Sequence, residues 1–218
     1  MVRISGSLDD DLEFRPAVRS DLDAVYDISL LTGNAGRDAT SLYVDPKLMG
    51  HIYAAPYLIL DRTIGYVVEN QKQVLGFVLG AANTRDFEAQ LEDRWWPKLR
   101  RDYPWPGKVQ GEMTADQKRI CMIHRPDVVP ERVIQAFPVH LHMNLLPEIQ
   151  GKGVGTALLN LWVDAARNAS VSAAHVRVNA KNTSGLAFWK SRRFQPLLTQ
   201  KSKGSAGIIW CGLQIGVL

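Results

Sequence analysis

HLHMNLLPEIQGKGVGTALLNLWVDAA, residues His140 to Ala166, is the stretch whose reading decides the fold. From His140 to Leu146 polar and apolar residues alternate almost strictly, the two-residue period of a strand with one buried face. Pro147 stops the ladder because it has no N–H to give. Gln150-Gly151-Lys152-Gly153-Val154-Gly155-Thr156 follows, with three glycines in five residues. Then Val154, Ala157, Leu158, Leu161, Trp162 and Ala165 recur at the 3.6-residue period and predict one buried helix face. Strand, glycine loop and helix together make an anion site. Glycines let backbone approach a ligand closely, the first-turn N–H groups lack partners in the helix, and the dipole favours negative charge, so a phosphate or pyrophosphate fits.

The loop does not fit the two commonest phosphate motifs. A P-loop closes with Gly-Lys-Ser/Thr, whereas Lys152 sits between glycines. A dinucleotide fingerprint needs a third small residue where this chain has Leu158.

Composition bounds the remaining choices. The 218 residues, 46% hydrophobic and 22% charged, suit a soluble globular chain with a real core. The opening residues lack an apolar signal core and no run reaches membrane-spanning length, so neither secretion nor a membrane partner is expected. Cys121 and Cys211 lie far apart with no metal-ligand spacing, which predicts a reduced, cytoplasmic chain without a metal. The net charge of +4 suits an anionic cofactor and is too small to argue for nucleic acid.

Outward from the central stretch, residues 1–12 read as a loose end and 13–218 as one domain. Glu13 to Ala17 reads as a short strand, and Ser20 as the N-cap of a helix carrying Leu22, Val25, Tyr26 and Leu30 inward. Thr32 to Asp45 reads as loop, Asp45 to Tyr57 as a short helix or turn, and Tyr57 to Asp61 as a strand. A hairpin pairs Ile64–Glu69 with Val74–Ala82, both arms apolar on both faces as central strands are.

A helical insertion fills roughly 83–137. Phe87, Leu91, Trp95 and Leu99 recur every four residues, with a kink near Pro97. Trp95, Trp96, Arg100, Arg101 and Trp105 resemble a base-stacking surface in composition, but a helix packed on the sheet with its arginines in water explains them more simply. Thr114 caps a helix to His124, and another short helix runs from Pro130 to Gln135. His175–Ala180 alternates as the next strand, Asn182 or Thr183 caps a helix ending at Phe194-Gln195-Pro196, and Ile208–Val217 closes the chain as a strand.

Gln150, Gly153 and Gly155 after an alternating strand form a Gln-x-x-Gly-x-Gly pattern that resembles the acetyl-CoA loop of the GNAT acetyltransferase superfamily. The later strand, Asn182, and the Ala187-Phe188-Trp189 to Phe194 run resemble its second motif. AFPVHLHMNLLPEIQGKGVG, with GFVLGAANTRDFEAQLEDRWWPKLRRDYPWP upstream, narrows the likeness over residues 13 to 217. It is similar to the acetyltransferase-like domain related to the C-terminal part of O-linked N-acetylglucosaminidases, and to its stand-alone bacterial relatives.

The resemblance implies an α/β (α+β) GNAT fold. Its central mixed, mostly antiparallel sheet splays at a bulged strand and carries helices on both faces. It implies acetyl-CoA as cofactor, its pantetheine arm paired with the backbone of Leu145 and Leu146. The pyrophosphate would lie on Gln150, Gly151, Lys152, Gly153, Val154, Gly155 and Thr156, with Asn182 and Phe188 flanking. A backbone N–H of the central strand would polarise the thioester. The acceptor is expected to be an amine, on a small molecule or a protein, and must lose a proton. His142 and Asn144 share a strand face and are the catalytic candidates, His142 as base or as a plain structural histidine. Asp86 and Trp95 are the candidate acceptor contacts and His51 a weaker one.

In many GNAT enzymes the second motif carries a tyrosine that protonates the leaving thiolate. This chain has Trp189 there, whose indole N–H is no acid at ordinary pH. Water or Ser191 would replace it, the thiolate would leave unassisted, or the protein would be an acetyl-CoA-binding pseudo-acetyltransferase used for recognition. The apolar last strand offers an edge for pairing across the two-fold axis of a homodimer.

Overall fold

A computed structural model describes residues 12–108, 111–201 and 207–216. Its seven-stranded sheet runs in the order β1 (Leu12–Pro16), β2 (Thr63–Asn70), β3 (Gln73–Ala81), β4 (Val139–Leu145), β5 (Ala173–Asn179), β7 (Ile208–Gln214), β6 (Gln195–Gln200). Every neighbouring pair is antiparallel except β4 with β5. This is the expected mixed, mostly antiparallel sheet. The loose-end reading falls on residues 1–11, outside the described residues, and Leu12 already pairs with Asn70.

Side chains of β4 divide between two helical layers. The odd set, Leu141, Met143 and Leu145, faces α7 (Val154–Asn168), whose Gly155 approaches Leu145. The even set, His140, His142 and Asn144, faces α1 (Leu22–Leu31) and α2 (Leu48–Tyr53), through the Thr32 that follows α1 and through Tyr53. The main core contains Phe77, Leu79, Val154, Leu158 and Trp162, all buried, and Trp162 satisfies its indole N–H on the Ile64 carbonyl.

The insertion builds α3 (Thr84–Gln90), a π-helical turn at Leu91–Trp95, α4 (Trp96–Asp102), α5 (Ala115–His124) and α6 (Glu131–Ile134). The kink sits one turn ahead of Pro97, where a widened turn absorbs the hydrogen bond that proline cannot donate. Leu48, Trp96, Leu99 and Ile123 form a satellite core beneath it. Thr114 caps α5, accepting from the Gln117 N–H.

Local expectations needed correction in five places. Ser20 does not cap α1: a 3-10 turn at Arg19–Asp21 precedes it, and Asp21 instead accepts from the Val18 N–H and pairs with Arg15. The expected strand at Tyr57–Asp61 does not form: the end of a 3-10 turn, Ala55–Leu58, started by Pro56, runs into a bend. A further strand, β6, follows α8 (Thr183–Ser191) where no strand is expected, because its mostly exposed QPLLTQ lacks a buried-face alternation. That strand takes the outer edge, so β7 is flanked by β5 and β6 and offers no free edge for two-fold pairing. Finally, the β3–β4 ladder keeps one register from Leu145 to His140, so no bulge in it opens the sheet. Register shifts lie instead between β2 and β3, where Leu75 of β3 is skipped opposite Val68/Glu69, and in β6 at Pro196/Leu198.

Candidate active site

The splay itself is real. β4 and β5 pair only at Val139↔Ala174 and His140↔His175, after which the strands part. The Leu146 N–H donates to the Leu75 carbonyl, which fixes the alternation along the β3–β4 ladder. Backbone groups of His142 and Asn144 point to β3, and those of Met143 and Leu145 point into the gap. Gln150 Nε2 donates to the Leu145 carbonyl across 2.7 Å. The Leu145 N–H and both backbone groups of Met143 are left without a strand partner, a ladder waiting for an extended ligand.

The glycine loop closes one end of this gap. Gly151 and Gly153 take φ of +74° and +82°, and a Cβ at either would meet nothing within 4 Å, so the loop's outer side is open. Gly153 starts α7 without a side-chain cap. Among the described residues, the N–H groups of Gly151, Gly153, Val154 and Gly155 find no protein acceptor. Gly155 is there for close approach, since a Cβ on it would lie 3.2 Å from Leu145 and 3.3 Å from Phe188. Gly155 therefore brings the helix N-terminus, the open strand and the second motif together.

On that motif, Asn182 caps α8, its Oδ1 accepting from the Gly185 N–H at 2.9 Å. Phe188 meets Trp189 edge-on at 5.1 Å, and Trp189, 8% exposed, packs on Phe194 at 4.9 Å. Ser191 spends its hydroxyl proton on the Phe188 carbonyl and is exposed. It is therefore not a ready replacement for the absent tyrosine.

The even face of β4 carries the titratable groups. His140 is held at both nitrogens, by Thr84 at 2.8 Å and Tyr57 at 2.6 Å, and burial pushes it down to about 3. His175 donates from Nδ1 to the Phe137 carbonyl. His51 meets the Tyr26 hydroxyl and His124 the Tyr103 carbonyl. Of the five histidines, His142 is the one with neither ring nitrogen held at hydrogen-bonding geometry by a described residue. It stacks with Tyr53 at 6.3 Å, and burial pushes it down to about 4 against the opposing influence of Asn144. At neutral pH it is a neutral imidazole.

Asn144 is oriented by a relay. Thr32 donates its hydroxyl proton to the Ile28 carbonyl at 2.6 Å, so its oxygen can only accept, and Asn144 Nδ2 is the donor. Asn144 Oδ1 is thereby turned away, buried and without a partner at hydrogen-bonding geometry, yet close enough to favour protonation of His142. A buried acceptor of that kind suits a proton-bearing neighbour.

The structure brings Leu145, Gly155 and Phe188 into contact and places His142 and Asn144 on the strand that borders the gap. Asp86 and Trp95 are not brought there. Asp86 makes an exposed ion pair with Arg62, beyond the end of β3 remote from the gap. Trp95 spends its N–H on the His51 carbonyl and packs on the satellite core. The His142 face of β4 meets instead Thr32 and Tyr53, with Arg119 over the Tyr53 ring. These came from a loop and two helices whose spacing carried no signal for β4.

No family model matches the chain. Its fold is shared with a GCN5-related N-acetyltransferase from Kribbella flavida, 14% identical, over 94% of this chain and 98% of that one, at a TM-score of 0.53. It is also shared with yncA of Salmonella typhimurium, a putative acetyltransferase solved with its cofactor acetyl-CoA. There the identity is 16% over 94% and 95% of the two chains, at a TM-score of 0.52. The crystal structure of SsHAT is far nearer, 32% identical over 94% of this chain and 99% of that one, at a TM-score of 0.82. The chain belongs to the GNAT acetyltransferase superfamily. As a GNAT protein it keeps the loop and the splayed strands, and departs from the pattern at Trp189.

Proposed function

We propose that this GNAT chain is an acetyl-CoA-dependent N-acetyltransferase acting on an amine. The observation that carries the reading is the meeting, at Gly155, of an unpaired strand edge with an uncapped helix N-terminus. An extended amide-bearing arm matches the Met143 and Leu145 backbone groups, and a pyrophosphate matches the loop N–H groups. Acetyl-CoA would supply a thioester, an acyl group already activated toward amines. Gln150 to Thr156 bind, with Lys152 at hand, while the Met143 N–H is placed to donate to an oxygen that gains charge. His142 holds a free lone pair at neutral pH for the proton the amine must lose, directly or through water. Because His142 is pushed down to about 4, activity should show no acid limb near 6.5. It should rise with pH as the acceptor amine deprotonates.

The second reading, a cofactor-binding pseudoenzyme, is favoured by the buried Trp189 and the spent Ser191 hydroxyl. Calorimetric titration with acetyl-CoA, followed by free-thiol release with a panel of amines, separates the two. Binding with thiol release that His142→Ala slows by about 10²–10⁴-fold supports the transferase. Binding without release from any amine leaves the recognition module, and no binding at millimolar acetyl-CoA removes both.

A further inference from the structure

Arg119 on α5 is a half-buried guanidinium whose protein partners are all neutral. Nε donates to the Tyr43 hydroxyl at 2.9 Å, and Nη1 to the Tyr53 hydroxyl at 3.0 Å and the Met122 sulfur at 3.1 Å. Among the described residues no carboxylate lies at ion-pair distance, and Nη2 has no acceptor although it is not closed to solvent. Asp127, whose field favours the charged guanidinium, is held by Arg177 at 2.5 Å. The Tyr43 hydroxyl accepts from Arg119, and among the described residues its own proton has no acceptor. A cation drawn out of water without a counter-ion is costly, and the Arg119 Nη2 together with the Tyr43 O–H makes a pair of donors that the two oxygens of a carboxylate can bridge.

Its location gives the feature a purpose. Tyr53 carries both groups: its ring stacks with His142 at 6.3 Å and lies under the Arg119 Cζ at 5.5 Å. One aromatic residue thus joins the uncommitted histidine to the guanidinium that lacks an anion. We propose that the acceptor is an amine that also carries a carboxylate, its nitrogen at His142 and its carboxylate on Arg119 Nη2 and the Tyr43 hydroxyl. This rests on the transferase reading for the amine end, but the carboxylate site stands on Arg119 alone.

The test is calorimetric titration of the CoA-loaded protein with ω-amino carboxylates from glycine to 6-aminohexanoate, each against its amide. The expected result is at least tenfold preference for the carboxylate at one chain length, abolished in Arg119→Gln and reduced in Tyr43→Phe, with acetyl-CoA affinity unchanged in both. Equal binding of acid and amide, a preference that survives Arg119→Gln, or no binding across the series overturns it. So does a loss of acetyl-CoA affinity in Arg119→Gln, which would make Arg119 part of the cofactor site. Should CoA fail to bind, the same titration on the protein alone decides the carboxylate site while the transferase reading falls. Thiol release from amides and acids alike would leave the transferase standing and remove the carboxylate.

Discussion

Two arginines in this molecule live in opposite company. Arg15, on β1, pairs with Asp21 at 2.7 Å and with Glu69 at 2.7 Å, and these carboxylates are 5% and 12% exposed. Burial alone would raise the Asp21 carboxyl. Arg15 and the Val18 N–H outweigh it and hold Asp21 below the usual carboxylate range. Arg119 has only hydroxyls and a thioether. The first cluster is closed electrostatically and joins β1, the turn before α1, and β2. The second is open, and Tyr53 links it to His142 on β4. A fully neutralised cluster has nothing left to recognise, whereas an unneutralised one does.

The sharpest way to break the contrast is to remove each cation. Arg15→Met should cost about 3–5 kcal/mol in urea unfolding, because it strands Asp21 as a buried charge. Arg119→Met, which strands no anion, should stay within about 1 kcal/mol of the parent. Equal losses would make Arg119 another structural ion and end the distinction.

Acid should reveal the two regions in sequence. His140, His142 and His175 are held neutral well below their ordinary 6.5, so the unfolded chain takes up protons that the folded one refuses. Stability is therefore full above about pH 7 and falls from 6.5 toward 4, by at most about 1.4 kcal/mol per pH unit for each histidine. Asp21 acts only below that window. Its folded value lies under 3.8, so its contribution is present above that pH and is lost as the pH falls further. Thermal unfolding across pH 3–8 should therefore show the histidine slope first. A flat profile down to pH 4.5 would contradict the histidine burial.

Smaller effects sharpen the picture around the open cluster. Thr114→Ala removes the cap of the helix that carries Arg119 and should cost about 1 kcal/mol. Tyr53→Phe keeps the ring on His142 but deletes the hydroxyl that accepts from Arg119. Its stability should move by under about 0.5 kcal/mol, with any effect confined to recognition of the anion.

How much of this was legible in the sequence follows from what repeats along the chain. His140 to Ala166 declared itself because a period of two changes to a period of 3.6 across three glycines, and both periods survive folding. The capping of α8 by Asn182 and of α5 by Thr114 was equally local. Strand β6 escaped because an exposed edge strand has no buried face to alternate. Arg119 escaped for a different reason. Its meaning lies in the carboxylate it lacks, and only the folded packing of α2 against α5 excludes one. Asp86 and Trp95 were reasonable by position along the chain, but the insertion turns one to water and the other into a satellite core.

The brevity of the β4–β5 ladder has a further consequence. Strands β1 to β4 and strands β5 to β7 are each well hydrogen-bonded within themselves, yet two residue pairs alone join them through the sheet. The sheet is thus two plates on a short seam, and its weakest line of opening runs through the gap. Backbone amides of β5 and β7 can exchange as a cooperative unit separate from those of β2 and β3. Any ligand that pairs with Met143 and Leu145 while resting on α7 lengthens the seam, and in doing so becomes part of what holds the plates together.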